Sequence, residues 1–462
     1  MMDEVRFLFP TNKARAIKNF IIGLCILGCF FTANARAADE QPPENPYSGG
    51  FLTRSTLTGD WWGVRNDLAR KGVTLDMNIT NVEQGIVSGG KDRTWEFSGR
   101  GDITLNVDTQ KLGLWPGGFL TVEGEGNYNR DKNTQKLVNG KTGALMSVNT
   151  SAMFPLPGGN HFNLPELMFA QFLSPYAGLF FGKLETSSGD PNEFAHGKGD
   201  KQFMNLALNF NPLPLVGTPY SGLGAGIIVL PTKDPNQATV TFNVIQTNGK
   251  PNVTGFDDLE GDKLTFAGEG RMRTDFFGLT GHQLFGYVYS NAKFTSIDQS
   301  FRFIIENQAI EAKKGSWNIH YNFDQYLYEP QKGRGVGIFG RFGASDGNPN
   351  PLRFFGSVGV GGKGMFAERP NDRFGLGFYY IDIKQPTFRL LTTTRKFLRD
   401  EYGFEAFYNF ALTPWLTLSP DIQVIRPAQR QTLKLVSVLP PVVKRNDIDP
   451  AVVLGLRMKI DF

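Results

Sequence analysis

The sequence predicts an all-β protein, a transmembrane barrel of sixteen antiparallel strands preceded by a short N-terminal helix. Three observations favour this fold class: apolar and polar residues alternate in many segments, short and long connections alternate between them, and the first residues are typical of a secreted protein. After residue 40, no stretch reaches the ~18 consecutive apolar residues that indicate a membrane-spanning helix.

Residues 1–37 are predicted to be a secretory signal peptide. A basic start is followed by an apolar run at 20–31 and by the tripeptide Ala-Arg-Ala at 35–37, an order that is typical of such signals. A short membrane anchor is one alternative, but this apolar run is too short to span a bilayer. A lipoprotein site at Cys29 is a second, disfavoured because Phe30 and Phe31 follow it directly. Residues 38–57 contain several prolines, and we expect them to form an extended linker.

Charge and cysteine content exclude several classes of protein. Both cysteines, Cys25 and Cys29, lie in the predicted signal, so the remaining chain would have no disulfide, thiol chemistry or zinc–cysteine site. The chain has a formal net charge of +4; five basic and two acidic side chains fall in 1–37, which leaves about +1 and disfavours nucleic-acid binding. The four histidines have no metal-ligand spacing, so we predict no metal site.

Residues 58–72 are predicted to form a short helix of about three turns, ahead of a barrel at 73–462. Asp60 can cap the start of this helix and Gly72 can end it. Trp61 and Trp62 are expected to pack in the core, and a sugar-stacking surface is the alternative.

The period-two alternation is clearest at Trp95–Asp108, a run long enough to cross a bilayer at a tilt. The polar faces of such segments carry charges of both signs, which suits a wet lumen. In the stretch that ends at Phe462, Leu454 and Leu456 alternate with Arg457 and Lys459. A soluble β-protein could contain one such strand, but its recurrence along the chain favours a membrane barrel with the leucines facing lipid.

The lengths of the connections decide the number of strands. Seventeen segments resemble strands, but an antiparallel barrel with both termini on one side needs an even number. Short and long connections alternate only if Phe203–Phe210 does not span, so we place it in a long outer connection at about 187–217 that can fold inward. Short turns are predicted near 110–117, 174–177, 232–237, 278–282, 329–333, 362–372 and 412–415, and the other long connections at 131–162, 249–263, 295–315, 387–399 and 427–449.

Two motifs resemble those of a known family. Residues 57–65 (LTGDWWGVR) are similar to the N-terminal signature of the carbohydrate-selective porin (OprB) family, and residues 408–423 (YNFALTPWLTLSPDIQ) are similar to its penultimate hairpin. The resemblance runs from about residue 50 to 462, with Trp62 standing where the family usually has glycine. It implies a sixteen-stranded outer-membrane barrel through which monosaccharides and related small solutes diffuse, without a cofactor or catalysis. It also implies that the outer-membrane assembly machinery recognises Phe462.

Charged residues on the predicted lumen faces are candidates for a sugar-binding constriction. Arginine and carboxylate side chains offer multidentate donors and acceptors to sugar hydroxyls. The alternative is that these charges pair with one another only to satisfy the barrel wall. The candidates are Arg100, Asp102, Glu123 and Glu125 on strands two and three, and Glu269, Arg271 and Arg273 on strand eight.

Other functions stay open at this stage. A channel for small organic anions fits a lumen of mixed charge, and so does a non-channel outer-membrane barrel, either an enzyme or an adhesin. Gly356–Gly364 (GSVGVGGKG) lacks the spacing of a phosphate-binding loop, and no nucleophile motif is present, so we predict no catalytic residue. The expected partners are small sugars, outer-membrane lipid and the assembly machinery, and both a monomer and a trimer are compatible with the sequence.

Overall fold

The computed structural model describes residues 45–128, 138–155, 161–257, 259–299, 310–385, 398–438 and 441–462, with backbone alone at 433–438 and 441–443. The predicted signal peptide lies outside these residues, as does the first part of the predicted linker. Contacts divide the chain into two units. The larger comprises Pro42–Asp275 and Leu279–Phe462, and the described part of the smaller is the single 3-10 turn Phe276–Gly278. Within the described ranges, no helix is long and apolar enough to cross a membrane.

Sixteen of the described strands close into one antiparallel barrel, which confirms the predicted fold class. The barrel closes where β1 pairs with β18, with Ile79 opposite Ile460. The barrel strands are β1 (Val73–Gly90), β2 (Trp95–Asp108), β3 (Gly118–Tyr128), β4 (Phe162–Ser174), β5 (Ala177–Glu185), β6 (Ser221–Val229), β7 (Ala238–Gln246), β8 (Leu264–Arg273), β9 (Gly281–Thr295), β10 (Ala312–Gln331), β11 (Arg334–Ser345), β12 (Leu352–Lys363), β13 (Arg373–Ile383), β14 (Glu401–Thr413), β15 (Leu416–Arg426) and β18 (Asp449–Asp461).

The predicted short turns and long connections lie at opposite ends of the barrel, although two connections at the end with the long ones, 91–94 and 346–351, are short. All seven predicted short turns fall between consecutive strands at one end of the barrel, here named the turn end, and the long connections lie at the opposite, loop end. Phe203–Phe210 is not a barrel strand, as the parity argument requires. The long connection at 427–449 contains a further two-stranded sheet that the sequence did not predict, made of β16 (Gln431–Val438) and β17 (Pro441–Asp447).

The N-terminal helix α1 spans Val64–Arg70 and is shorter than the predicted helix at 58–72. Trp61, Trp62 and Gly63 have φ angles of 51°, 59° and 94°, and left-handed backbone of this kind cannot belong to a right-handed helix. Asp60 still accepts a hydrogen bond from the backbone nitrogen of Asn66 at 2.8 Å, in the first turn. The expectation that Trp62 packs in the core is wrong, because its side chain is fully exposed.

The side chains face outward and inward as the alternation predicts. Leu454 and Leu456 are exposed on the outer face of β18, whereas Arg457 and Lys459 are buried inside the barrel. The larger apolar core therefore lies inside the barrel, between the wall and the connection at 186–220, which is named the inward segment. This segment contains helix α3 (Leu206–Asn209) and a 3-10 turn (Leu213–Leu215), while helix α2 (Val138–Thr142) lies in the connection between β3 and β4.

Glycines on the inner face of the wall make room for the inward segment. A Cβ atom at Gly361 would lie 2.6 Å from Cβ of Phe194, and one at Gly375 would lie 2.7 Å from the ring of Phe203. Both distances are shorter than van der Waals contact, so these wall positions exclude any larger side chain. The glycine-rich stretch Gly356–Gly364 is thus part of a packed strand and its turn, as expected.

Candidate functional site

The inward segment is anchored to the wall through Lys198. Its Nζ atom lies 2.9 Å from Oε1 of Glu123 and 3.5 Å from Oε2 of Glu185, and it also donates to Glu125. These carboxylates belong to β3 and to the end of β5, so the ammonium group of Lys198 connects the inward segment to two strands of the wall. We refer to Lys198, Glu123, Glu125 and Glu185 as the lysine anchor.

Arg100 and Asp102 of β2 support the lysine anchor from the adjacent strand. The Nη1 atom of Arg100 donates to the backbone carbonyl of Lys198 at 3.2 Å, and its Nε atom lies 3.0 Å from Oδ1 of Asp102. Tyr220, at the end of the inward segment, donates its hydroxyl to Glu125. Four of the seven predicted residues, namely Arg100, Asp102, Glu123 and Glu125, therefore meet around one lysine.

The charges around this anchor are mutually stabilising. Burial alone would lower the pKa of Lys198, but the carboxylates of Glu185, Glu125 and Glu123 together raise it well above its ordinary value. Burial likewise would raise the pKa of Asp200, yet Lys459 and other nearby cations hold it well below its usual range. Both groups are thus kept in their charged forms at neutral pH.

Two further arginines of the wall hold backbone carbonyls of the inward segment. Arg341 on β11 pairs with Asp190, with Nε 2.6 Å from Oδ2, and also donates to the carbonyl of Leu208. Arg457 on β18 donates to the carbonyls of Gly199 at 2.8 Å and Gln202 at 2.7 Å. Both arginine side chains are fully buried, so these contacts fix the course of the segment across the lumen.

The three remaining predicted residues lie on β8, which is separated from β3 by four strands of the sheet. The backbone N–H of Asp190, in the inward segment, faces the Glu269 carboxylate, and Arg273 pairs with Asp275 at 2.5 Å. The Nε atom of Arg271 has no hydrogen-bond partner among the described residues. The structure therefore does not bring Glu269, Arg271 and Arg273 to the lysine anchor.

Several residues of this region were not predicted from the sequence. Glu166 on β4 lies directly opposite Glu123 in the β3–β4 register, and it adds a carboxylate to the same face of the lumen. Lys198, Asp190 and Tyr220 lie in the inward segment, which has no period-two pattern that would have pointed to them. The parity argument was the one sequence observation that pointed to this segment, because it showed that the segment is not a strand of the barrel wall.

The acidic side of the site resembles a cation-binding arrangement. Among the described residues, carboxylate oxygens of Asp102, Glu123 and Glu125 all lie within 4.8 Å of one another. Lys198 already donates to two of these carboxylates, and Arg100 pairs with the third. Each carboxylate of this cluster therefore already has a cationic partner within the protein.

A closed barrel with a charged segment folded across its lumen has the geometry of a selective pore. A family model described as "Carbohydrate-selective porin, OprB family" matches residues 92–462. The chain belongs to this family.

Similarity to known proteins in sequence and in structure is consistent with membership of this family. The chain is similar to Porin B of Pseudomonas aeruginosa, with 22% identity over 451 residues that cover 87% of this chain and 92% of that protein. The high-pH structure of Pseudomonas putida OprB matches with a TM-score of 0.72 at 20% identity, and covers 90% of this chain and 100% of that chain. The low-pH structure of the same protein matches with a TM-score of 0.53 at 19% identity, over 89% of this chain and 99% of that chain. At such identities, the two structures support the fold alone.

Membership of the carbohydrate-selective porins, together with the closed barrel, makes the chain an outer-membrane porin for sugars. Membership of a porin family implies a channel rather than an enzyme. The lysine anchor is accordingly interpreted below as part of a channel constriction.

Proposed function

We propose that monosaccharides and related small solutes diffuse passively past the inward segment. The observation that carries this proposal is the lysine anchor, which holds the segment against β3 and β5. Because the anchor holds a charged segment across the lumen, the path left for a solute is narrow and lined by polar side chains.

The partly exposed polar groups beside the segment are the proposed sugar contacts. Glu123 and Glu166 offer carboxylate oxygens that accept hydrogen bonds from sugar hydroxyls. Glu269 and Arg271, both partly exposed, provide an acceptor and a donor on β8. We propose that these groups replace part of the hydration shell of a sugar as it passes.

The buried candidates have a different proposed role. Arg100 and Glu125 are 2% and 0% exposed, so their contacts are made with the inward segment rather than with a solute. We therefore propose that Arg100, Asp102 and Glu125 position the constriction, and that Arg273, which is paired with Asp275, stabilises the wall near the turn end.

The alternatives left open by the sequence are less well supported. Small organic anions would need cations that are available to bind them, whereas Lys198 and Arg100 already pair with carboxylates of the wall. No residue is assigned a catalytic role. We further propose that residues 1–37 are a cleaved signal peptide and 38–57 a linker, and that the assembly machinery recognises Phe462 before the barrel inserts into outer-membrane lipid.

Liposome swelling with a panel of neutral sugars and small anions tests the proposed function. We expect monosaccharides to enter faster than disaccharides and anions, and Arg271→Gln to slow monosaccharide entry. Arg273→Gln is the matched control on the same strand, since its cation already pairs with Asp275. Preferential entry of anions would overturn the proposal, and unchanged sugar entry in Arg271→Gln would remove that residue from the solute path.

A further inference from the structure

A basic cluster of three arginines lies at the loop end of the barrel, next to lipid. Arg426 ends β15, and on the same outer face of that strand Ile422 and Val424 are exposed. On the adjacent β14, Tyr402 is paired with Arg426 and is followed on its outer face by the exposed Phe404. Arg426 thus stands at the edge of the apolar band, where hydrocarbon gives way to polar headgroups.

Arg399 and Arg430 complete this basic cluster. Arg399 donates through Nε to the carbonyl of Pro427 at 2.9 Å and through Nη2 to the carbonyl of Ile448 at 2.7 Å. The backbone nitrogen of Ile448 donates in turn to the carbonyl of Arg430 at 3.0 Å, which brings the start and end of the β15–β18 connection together. The side chain of Arg430 is exposed.

The charges of Arg426 and Arg430 act on Arg399. Burial, then the charges of Arg426 and Arg430, lower the pKa of Arg399, and Asp447 opposes this effect. The Asp447 carboxylate is itself occupied by a hydrogen bond from Gln431 at 2.6 Å. An anion bound between Arg399 and these two arginines would relieve the repulsion between their like charges.

The cluster has unused hydrogen-bonding capacity. Among the described residues, no carboxylate lies within ion-pair distance of Arg399, Arg426 or Arg430. The guanidinium carbon of Arg426 lies 5.4 Å from the ring centre of Tyr402, a stacking contact that leaves its N–H groups available. By contrast, Arg353 is paired with Asp382 at 2.7 Å at the loop-end edge of the neighbouring strands β12 and β13.

We propose that this basic cluster binds the phosphate groups of an anionic lipid in the outer leaflet, whose acyl chains lie along Ile422, Val424 and Phe404. Guanidinium groups match the geometry of phosphate oxygens and form paired, charge-assisted hydrogen bonds with them. The continuity between the cluster and the apolar band favours a lipid over a free phosphate ion, because only a lipid fills both parts of the surface. This site is separate from the lumen and does not depend on the proposed solute path.

Binding of bisphosphorylated lipid A to the full-length porin in detergent micelles tests this proposal, with dephosphorylated lipid A as the second probe. Each arginine near a membrane surface contributes to anionic-lipid binding by a factor of about five, so Arg426→Gln with Arg430→Gln should weaken binding by about 25-fold. Arg353→Gln is the matched control, because its charge is already neutralised by Asp382, and its affinity should change by less than about twofold.

Three outcomes would overturn the proposal. The first is unchanged affinity of the double variant, and the second is equal binding of the dephosphorylated lipid. The third is full competition by inorganic phosphate at millimolar concentration, which would mean that the lipid chains add nothing. The single variant Arg430→Gln changes only an exposed loop residue, so we expect it to fold normally. Circular dichroism verifies the β content of every variant.

Discussion

Arg65 donates from Nη1 to the backbone carbonyl of Phe462 at 2.7 Å, although the two residues are 397 positions apart in the chain. The same guanidinium group donates to Thr56 Oγ1 at 3.0 Å and to the carbonyl of Leu75 at 2.7 Å. Arg65 therefore connects helix α1 with the start of β1 and the end of β18, the two strands whose pairing closes the barrel.

Replacing Arg65 with methionine should destabilise the barrel. The substitution removes three hydrogen bonds from a charged donor, and one such bond contributes about 1.5–3 kcal/mol, so we expect a loss of at least about 3 kcal/mol. The measurement is the free energy of unfolding in denaturant, in a detergent–lipid mixture. Arg70→Met on the same helix is the control; Arg70 is half exposed and contacts Asp67 and Asn45 at the surface, so the expected loss is below about 1 kcal/mol. Equal losses in the two variants would contradict the assignment of Arg65 as the connection.

The barrel wall could be predicted because its rules are local. The alternation at Trp95–Asp108 matches β2 residue for residue, since an apolar outer face and a polar inner face impose a period of two. The loop-length rule then excluded Phe203–Phe210 from the wall, although this segment is apolar enough to resemble a strand. The lumen-facing positions of Arg100, Glu123 and Arg457 follow from the same period.

The partners of those lumen residues could not be predicted. Lys198, Asp190 and Tyr220 lie in a segment without periodic structure, and their contacts join residues that are far apart in the chain. Predicting them requires the path of that segment across the lumen, which depends on the wall glycines and on Arg341 and Arg457. The predicted helix at 58–72 was too long for a local reason, because propensity did not indicate the left-handed backbone at Trp61 and Trp62.

The glycines on the inner face of the barrel wall lead to a prediction about packing. Gly361→Ala places a methyl group 2.6 Å from Cβ of Phe194, which must move together with the inward segment. Overpacking of this kind costs about 1–3 kcal/mol, and we expect a loss of that size in the free energy of unfolding. Gly270→Ala is the control, since a Cβ atom there meets nothing within 4 Å and should change stability by less than about 0.5 kcal/mol. A Gly361→Ala protein as stable as the control would show that the segment is not packed against this strand.

Replacing Lys198 with methionine should release the inward segment from β3. Removing one partner of a buried ion pair costs about 3–5 kcal/mol, because Glu123, Glu125 and Glu185 are left without their cation. We expect a larger single-channel conductance in planar bilayers and a weaker preference for monosaccharides in liposome swelling. Lys201→Met, an exposed lysine of the same segment, is the control and should leave both unchanged. A normal conductance in Lys198→Met would mean that Arg341 and Arg457 hold the segment without the lysine anchor.

The lysine anchor also predicts a pH dependence with a defined sign. The pKa of Lys198 is raised above its ordinary value of 10.5, so its contribution to stability is fully present below pH 10.5 and declines as the pH rises beyond it.

The stability difference between the wild-type protein and Lys198→Met should therefore shrink by about 1.4 kcal/mol for each pH unit above about pH 10.5. Comparing these two proteins cancels other groups that titrate at alkaline pH, provided that they do not contact Lys198. Lys198→Arg distinguishes the cause, because a guanidinium group stays protonated throughout this range. Its stability advantage over Lys198→Met should persist at pH 11.5, and a parallel decline in the arginine variant would assign the effect to the carboxylates or to Tyr220 instead.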